Sequence, residues 1–326
     1  MSSRAAVERV NLRLPVRELV CPACRTPLIA SGEMLRCSGC GTGYPVSTGI
    51  PRFVPAKNYS KSFGLQWNRY RQTQLDSWIG KPISENRLFQ ATGWPRDMRG
   101  ARILEAGSGA GRFTEILCRT GAVVYSFDYS TAVDANALNN GSNANLRLFQ
   151  ADILAIPLPE SCFDHVLCLG VLQHTPDPKA SFLSLARYVK PGGDIAVDVY
   201  RRSLAARLQW KYLLRPLARA MSPERLNGLV EKIVPRLVGP TRWLRRIAGR
   251  AGARLSPIVE YSHLGLTPEQ NLRWALLDTF DMYAPAYDLP QSSAEVRRWF
   301  AEARFEKVEV FDGPNGIVGR GRRPAA

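Results

Sequence analysis

The sequence of 326 residues lacks any run of 18 uncharged apolar residues, so a transmembrane helix is not expected. Its first residues, MSSRAAVERVNLRLPVREL, contain no apolar segment of the kind that a secretory signal requires. The cysteines number seven, and without a secretion signal disulfide bonds are not expected. Only three histidines are present, which leaves few candidates for a general base. These absences predict a cytoplasmic protein, and an apolar content of 45% predicts a substantial core.

Acidic residues are scarce in one segment of the chain. The protein has 44 Lys/Arg and 28 Asp/Glu, a formal net charge of +16. Between residues 201 and 254, 14 Lys/Arg stand against Glu224 and Glu231 alone, which is a net +12. Large apolar residues recur there at spacings of three and four, which predicts amphipathic helices. Pro216, Pro223 and Pro240 would divide the segment into three or four pieces, with Pro223 at a helix start.

Four of the cysteines form two pairs, Cys21-x-x-Cys24 and Cys37-x-x-Cys40, separated by twelve residues. Each pair can present two thiolates from a tight turn, and two such turns close a tetrahedral zinc site. Because all four positions would be filled by the protein, the predicted zinc is structural. The alternative is four reduced thiols, but a segment this short and poor in apolar residues would hardly fold without a metal. The segment Leu19–Val54 resembles a small zinc ribbon.

A glycine-rich loop, Glu105–Gly111 with the sequence EAGSGAG, follows the apolar run 101–104. Asp128 follows 17 residues after the loop, at the end of a second apolar run, 123–127. This order is typical of the first β-α turn of a doubly wound sheet, where glycines let the backbone approach a nucleotide-type ligand and an acid accepts hydrogen bonds from a ribose diol. A dinucleotide fingerprint would need a third glycine at the position of Arg112, so a pyrophosphate ligand is not favoured.

Apolar runs and helix signals continue to alternate after the loop. Asp152 and Ile153 follow the third run, and a fourth run leads into VLQHTPDP. Within it, Asp177 is a good N-cap with Pro178 at the first helical position. Further along the chain, Ser292 begins a capping box before a short helix. The predicted elements are strands at 146–149, 163–170 and 194–200, a helix at 179–189, a turn at 190–193, a helix at 295–303 and an edge hairpin of 305–311 with 316–319.

This succession of motifs resembles class I S-adenosylmethionine-dependent methyltransferases of type 11, the ubiquinone/menaquinone-methyltransferase kind. The resemblance covers 57–200 and resumes in the C-terminal part, and 62–94 is similar to the N-terminal helical lid of bacterial members. It implies an α/β fold: a doubly wound, Rossmann-like, seven-stranded methyltransferase sheet with an N-terminal zinc ribbon and a helical insertion after strand five. The implied divisions are an N-terminal extension at 1–18, the zinc ribbon at 19–56, and the methyltransferase domain at 57–326 with the basic helical insertion at 201–263.

The resemblance also implies that S-adenosylmethionine is the cofactor. An aspartate at position 152 would bond the exocyclic amine of adenine, and the next apolar residue, Ile153, would pack on the ring. Arg112 and Arg71 are candidates for contact with the methionine carboxylate. The predicted cofactor-binding residues are Glu105, Gly107, Gly109, Gly111, Asp128, Tyr129, Asp152, Ile153 and Gly170.

Two residues are candidates for the catalytic step. His174 falls just past the fourth strand, where the transferred methyl group should point, and it would act as a general base if the acceptor is a hydroxyl. The alternative role for His174 is to orient the substrate or to pack. Tyr283 belongs to the run DTFDMYAP, which in similar bacterial proteins lies near the substrate entrance, so Tyr283 and Asp281 are candidate substrate contacts. The alternative for Tyr283 is a packed core aromatic.

Methyl transfer needs in-line alignment of a nucleophile and exclusion of water more than covalent catalysis. The predicted acceptor is a small or amphiphilic metabolite, such as a glycolipid, lipid-linked sugar, quinone or polyketide-like hydroxyl. The enzymatic alternative is an rRNA or tRNA base methyltransferase in which the ribbon and the insertion grip RNA. A second alternative is a non-catalytic scaffold that binds S-adenosylmethionine. The absence of an NPPY tetrad after the fourth strand argues against an exocyclic-amine methylase, and DNA is not an expected partner.

The sequence leaves three interpretations of the basic insertion open. The insertion is a helical cap over the cleft with a solvated basic face, or a surface that lies on anionic lipid at the inner face of the membrane, or a phosphate-binding face for RNA. The zinc ribbon likewise either docks on the catalytic domain or helps to grip RNA, and docking is favoured.

Overall fold

A computed structural model describes residues 14–55, 58–203 and 210–325, so the first 13 residues of the predicted N-terminal extension lie outside the described residues. A small N-terminal sheet contains β1 (Leu28–Ser31), β2 (Met34–Cys37), β3 (Gly43–Ser47) and β4 (Ile50–Pro51). The large sheet contains β5 (Arg102–Ala106), β6 (Val123–Asp128), β7 (Leu146–Gln150), β8 (Phe163–Leu169), β9 (Val189–Val199), β10 (Glu306–Gly313) and β11 (Gly316–Arg322).

The large sheet has the strand order β10-β11-β9-β8-β5-β6-β7. Strands β5 to β9 are mutually parallel, whereas β11 runs antiparallel to both β9 and β10. The chain leaves β5 in one direction along the sheet and later crosses back to β8, which makes the sheet doubly wound. The predicted seven-stranded fold is confirmed. The parallel strands are nearly continuous apolar runs because helices cover both faces of the sheet.

Ten helices are described. They are α1 (Lys61–Arg69), α2 (Asp76–Ile79), α3 (Ile83–Thr92), α4 (Arg112–Arg119), α5 (Ala132–Asn140), α6 (Pro178–Ala186), α7 (Trp210–Arg219), α8 (Pro223–Arg254), α9 (Pro268–Tyr283) and α10 (Ser293–Glu302). The predicted caps are present: Asp177 accepts from the backbone of Ala180, and Ser292 and Glu295 form a reciprocal capping box. Within the described ranges, no helix is both long enough and apolar enough to span a bilayer.

The predicted turn at 190–193 is wrong in one respect. The Lys190-Pro-Gly-Gly sequence lies inside β9, not before it, and the pairing register with β8 shifts across it. Proline and glycine weaken a regular ladder, but a local irregularity accommodates them without ending the strand. Helix α6 accordingly ends at Ala186 rather than at residue 189.

The insertion after β9 is helical, as predicted, but it is not divided at Pro216 and Pro240. Pro216 lies inside α7, and Pro240 lies inside α8. Both prolines are at exposed positions, so the carbonyl that each leaves without an amide partner can face water. The backbone of α8 departs from helical geometry instead at Gly249 (φ 56°, ψ −140°). Residues 204–209 of the predicted insertion lie outside the described residues.

The small sheet packs against the large one. The guanidinium of Arg25 donates to the carbonyls of Ile156 (2.9 Å) and Leu158 (2.6 Å). The backbone N–H of Phe53 donates to the carbonyl of Gln150 at the end of β7 (2.8 Å). The N-terminal unit therefore docks beside the carboxyl edge of the large sheet, as the docking interpretation predicts.

Candidate functional site

A cavity of about 770 Å³ lies at the carboxyl ends of β5, β6, β7 and β8. The glycine loop and the residues that follow these strands form one wall, and α1, α3, residues 259–264 and α9 form the others. In open α/β sheets, ligands bind outside the carboxyl ends of the strands, at the point where the strand order reverses. The reversal here lies between β5 and β8. The cavity is therefore the candidate active site.

The glycine loop has the backbone that its composition predicts. Gly107, Gly109 and Gly111 all have positive φ (74°, 53° and 88°), a region that only glycine adopts without strain. A Cβ on Gly107 would overlap Val171, and one on Gly109 would lie 3.0 Å from the Trp67 ring. Gly107 and Gly109 line the cavity, whereas Gly111 faces the packed side of the loop and has a structural role.

Two carboxylates support this loop. Asp128 Oδ2 accepts from the N–H of Gly109 (2.9 Å), and its carboxylate lines the cavity. Glu105 lies beneath the loop, where it accepts from Thr114 (2.5 Å) and Ser126 (2.7 Å) and does not line the cavity. Burial raises the pKa of Asp128 and raises that of Glu105 to about 7. Glu105 Oε1 is buried and has no hydrogen-bond partner among the described residues.

The remaining predicted cofactor residues surround the same cavity. Asp152 and Ile153, which follow β7, both line it. Tyr129 also lines it, and its ring stacks on Tyr59 with a centroid separation of 4.9 Å. Gly170, at the end of β8, completes the set with φ 78°. The structure thus brings seven of the nine predicted positions to the cavity wall and places Glu105 and Gly111 directly behind it.

His174 lies on the cavity wall at the end of β8, in a short 3₁₀ turn, and is buried. Its Nδ1 lies 3.0 Å from the carbonyl oxygen of Tyr287. A carbonyl only accepts, so Nδ1 carries the proton and Nε2 of the neutral ring has its lone pair free. No described residue forms a hydrogen bond with Nε2. Burial lowers the pKa of His174, although Asp281 opposes the shift, so the ring is neutral at physiological pH.

Of three further predicted contacts, two are placed away from the cavity. Tyr283 does not line the cavity: its hydroxyl donates to the carbonyl of Pro257 (2.6 Å), and its ring packs among α7, α8 and α9. As a catalytic residue it is a wrong prediction, and the core alternative is correct. Arg71 does not line the cavity either, because it donates to Asn139 (2.9 Å). Arg112 does line the cavity, and burial lowers its pKa to about 9.

The far wall of the cavity consists of residues that the sequence patterns did not indicate. Tyr261, Trp274 and Asp278 face it from the insertion and α9. The Tyr261 hydroxyl donates to Asp278, and burial raises the pKa of that carboxyl to about 7. The spacing of Asp278 and Asp281 does indicate that both face the same side of α9, because residues three apart share one face of a helix. No sequence pattern could have paired Tyr261 with Asp278 across a loop.

Residues 104–197 match a family model described as "Methyltransferase domain". The chain is 34% identical over 146 residues to a ubiquinone biosynthesis O-methyltransferase of Pseudomonas fluorescens, which covers 42% of this chain and 61% of that protein. A protein of the same name from Xanthomonas euvesicatoria is 33% identical over 114 residues, covering 34% and 47%. The family model therefore places a methyltransferase domain at residues 104–197. The chain spans about half to three-fifths of the length of these curated relatives.

Solved structures of methyltransferases resemble the chain at low sequence identity. A putative S-adenosylmethionine-dependent methyltransferase of Methanococcus maripaludis is 12% identical, with a TM-score of 0.46, over 83% of this chain and 97% of that one. A complex between the Haloferax volcanii Trm112 methyltransferase activator and a putative methyltransferase gives 14% identity and a TM-score of 0.45, over 81% of this chain and 98% of the matched chain.

The residues of the methyltransferase domain fit S-adenosylmethionine. The loop at 107–110 exposes backbone to the cavity, because Gly107 and Gly109 have no room for a side chain. Asp128 ends β6 and Asp152 follows the adjacent strand β7, so both can accept hydrogen bonds, from a ribose diol and an adenine amine, at the same edge of the sheet. Arg112 stands where a dinucleotide fingerprint has its last glycine, and the loop carries no phosphate-binding lysine, which agrees with a ligand without phosphate.

An Asp128→Asn variant should bind S-adenosylmethionine roughly 10- to 100-fold more weakly, because hydrogen bonds to a charged group contribute about 1.5–3 kcal/mol. The asparagine amide would also face the N–H of Gly109, which now donates to the carboxylate. Isothermal titration calorimetry gives the Kd. Asp177→Asn is the matched control, because asparagine caps α6 as well as aspartate does and the residue is outside the cavity. Equal Kd values for the wild type and Asp128→Asn would contradict the assignment.

The four cysteines of the N-terminal sheet converge. The Sγ atoms of Cys21, Cys24, Cys37 and Cys40 all lie within 4.8 Å of one another. Cys21 and Cys40 are 3.7 Å apart, and Cys24 and Cys37 are 3.3 Å apart. Tetrahedral zinc with Zn–S bonds of about 2.3 Å would separate the sulfurs by about 3.8 Å. The backbone N–H groups of Gly39 and Cys40 point at Cys37 Sγ (3.3 Å each). Together with the four sulfurs and their separations, these contacts fit a closed Zn(Cys)4 site.

Proposed function

We propose that this protein is an S-adenosylmethionine-dependent methyltransferase that methylates a hydroxyl group of a small or amphiphilic metabolite. The acceptor class is a quinone precursor, glycolipid, lipid-linked sugar or polyketide-like molecule, and an aromatic, quinone-like hydroxyl is the first choice. The observation that carries the proposal is His174, a buried neutral histidine with its free Nε2 on the wall of the cofactor cavity. The curated relatives named as ubiquinone biosynthesis O-methyltransferases support a hydroxyl acceptor.

Two groups of residues would perform the reaction, one that holds the cofactor and one that takes the proton. When bound, S-adenosylmethionine supplies an electrophilic methyl group on its sulfonium. Asp128, Asp152 and the glycine loop hold the cofactor at the strand ends. His174 Nε2 takes the proton that the acceptor hydroxyl releases as its oxygen is methylated, while the Tyr287 carbonyl holds the imidazole in the tautomer that can do so. Proximity and exclusion of water supply most of the rate enhancement.

The far end of the cavity suits an acceptor that is apolar with a few hydroxyl groups. Phe63 and Trp274 give it flat apolar walls. Asp278 and Asp281 place two carboxyl groups on one side of it, which can accept from hydroxyl donors. An aromatic diol or a polyol matches this mixture better than an exposed nucleobase on a folded RNA does.

We propose further that the chain has three functional parts, as the sequence analysis divides it. Residues 19–56 form a ribbon that binds a structural zinc through the four cysteines. Residues 57–326 form the methyltransferase domain, with 201–263 as a helical insertion that covers the cavity. The ribbon supports the cofactor end of the cavity, because Phe53 bonds the backbone at Gln150 and the side chain of Gln150 in turn donates to the carbonyl of Tyr129 (3.0 Å).

The test is transfer of a tritiated methyl group from S-adenosylmethionine into a fractionated bacterial lysate. We expect label in the organic phase, and much less of it with the Asp128→Asn variant when S-adenosylmethionine is kept near the wild-type Kd. Label in ribonuclease-sensitive, acid-precipitable material would replace the proposal with an RNA methyltransferase. Calorimetric binding of S-adenosylmethionine without label in any fraction, including assays supplied with catechol-type acceptors, would favour a non-catalytic scaffold.

A further inference from the structure

Helices α7 and α8 expose an unusual amount of large apolar surface. Trp243 and Ile247 of α8 are 62% and 64% exposed, and Leu213 and Leu217 of α7 are 62% and 66% exposed. Trp210 at the start of α7 is also exposed, and its indole N–H donates to the carbonyl of Leu255 after α8 (2.9 Å). The two helices are thus tied together at these ends. Single exposed apolar residues are ordinary, but this many on two linked helices mark an interaction surface.

The exposed apolar residues of α8 lie along one face. Leu229, Ile233, Trp243 and Ile247 are separated by 4, 10 and 4 positions, which keeps them within one stripe of a helix. This stripe is not the side that packs on the protein. Leu226, Val230 and Val234 perform that role, in a cluster with residues of α9. Helix α8 therefore has two apolar faces, and only one of them is covered within the described part of the chain.

The charges around the exposed stripe are all positive. The two acidic residues of α7 and α8 already have partners on α1: Glu224 pairs with Lys61 (2.7 Å), and Glu231 pairs with Arg69 (2.6 Å). Eight exposed cations of these helices form no ion pair with any described carboxylate. They are Arg219, Arg225, Lys232, Arg236, Arg242, Arg246, Arg250 and Arg254.

We propose that this surface, called here the basic-apolar face (the exposed residues of α7 and α8 just named), docks on a bilayer of anionic phospholipids. Apolar side chains would enter the boundary between head groups and acyl chains, while the cations contact the head-group phosphates. Charge complementarity selects this partner. A second copy of the chain would bring eight unpaired cations against eight more. A nucleic acid would satisfy the cations but leave Leu213, Trp243 and Ile247 without apolar contacts.

The basic-apolar face adjoins the active-site cavity. Lys211 follows Trp210 in α7, lines the cavity and lies over the Tyr200 ring at 4.8 Å. Its position is fixed by an ion pair with Asp288 (2.8 Å). A protein bound through this face would therefore hold its cavity next to the bilayer, where amphiphilic acceptors reside. Docking itself needs no catalysis, so it stands or falls independently of the proposed methyl transfer.

Co-sedimentation of the full chain with vesicles tests the proposal. One set contains phosphatidylcholine alone, and the other contains phosphatidylcholine with 30% phosphatidylglycerol. We expect binding to the anionic vesicles only, weakened by added salt. Arg242→Gln with Arg246→Gln should lower the partition coefficient about 30-fold, since each charge near the surface contributes about fivefold. Trp243→Ser with Ile247→Ser should lower it at least about tenfold.

Matched controls distinguish binding through this face from attraction by the positive charge of the whole protein. Arg298→Gln removes an exposed cation elsewhere, and Leu138→Ser removes an exposed leucine of α5. Both should bind vesicles as the wild type does, and all variants should keep the wild-type Kd for S-adenosylmethionine. Equal binding by the face variants and the controls would overturn the proposal. Absence of binding to anionic vesicles, or tighter binding to RNA that the Trp243 and Ile247 changes do not affect, would also overturn it.

Discussion

Replacing His174 with glutamine should lower kcat by about 10²–10⁴-fold, the range that a general base contributes. Glutamine retains polarity and approximate size, but it cannot take a proton at the position of Nε2. The Kd for S-adenosylmethionine should stay within about threefold, because the His174 ring bonds the carbonyl of Tyr287 and not the glycine loop or the two carboxylates proposed to hold the cofactor. Steady-state kinetics with an excess of acceptor, together with calorimetry, measures the two quantities separately.

His263 is the matched control for this experiment. It is the other histidine that lines the cavity, and it is exposed and stacks on Tyr261 at a centroid distance of 6.0 Å. His263→Gln should leave kcat within about threefold of wild type. If His174→Gln and His263→Gln retain equal activity, His174 has an orienting or packing role, and the acceptor must lose its proton without a protein base.

The pH profile gives an independent test of the same role. Burial depresses the pKa of His174, so its protonated form accumulates only below the ordinary histidine range near pH 6.5. We therefore expect kcat to be level above about pH 6.5 and to fall as the pH decreases through the depressed pKa. His174→Gln should remove this acid limb, whereas His263→Gln should leave it in place.

The local parts of the site could be predicted from sequence, and the parts built by long-range contacts could not. The glycine loop, Asp128 and Asp152 were found because each follows a buried strand, and the ends of parallel strands meet at one edge. Glu105 and Gly111 belong to the same motif, but they lie behind the cavity wall and do not line the cavity. The sequence gives no indication that Gly111 must leave room for Asn136, since this contact forms only when α5 packs against the loop.

The assignment of Tyr283 failed for a related reason. The residue lies on α9, which also carries Asp278 and Asp281, so proximity in sequence suggested a shared role. The helix period directs Tyr283 to another side, where Pro257 accepts its hydroxyl. The protonation state of His174 also depends on a distant residue, because Tyr287 lies 113 positions further along the chain. Such pairings follow from the tertiary fold alone.

Purified protein should contain about one zinc ion per chain, and Cys37→Ser should abolish it and unfold residues 19–53. Apparent free energies of structural zinc binding in zinc-finger peptides are about 10–16 kcal/mol, which matches or exceeds the whole stability of a typical domain. The small sheet has few buried apolar side chains of its own, so its hydrophobic core could not compensate for loss of the metal. Metal analysis and limited proteolysis between residues 19 and 53 provide the measurements.

Cys162→Ser is the matched control, because Cys162 lies outside the four-cysteine cluster and its Sγ donates to the Pro159 carbonyl, which a serine hydroxyl can also do. It should keep zinc and protease resistance. The loss of zinc should also weaken cofactor binding at the active site. An unfolded ribbon no longer holds Gln150 through Phe53, and Gln150 supports Tyr129 on the cavity wall. The Kd for S-adenosylmethionine should therefore rise several-fold in Cys37→Ser. Zinc-free Cys37→Ser with unchanged protease resistance would show that packing against residues 150–158 holds the ribbon without a metal.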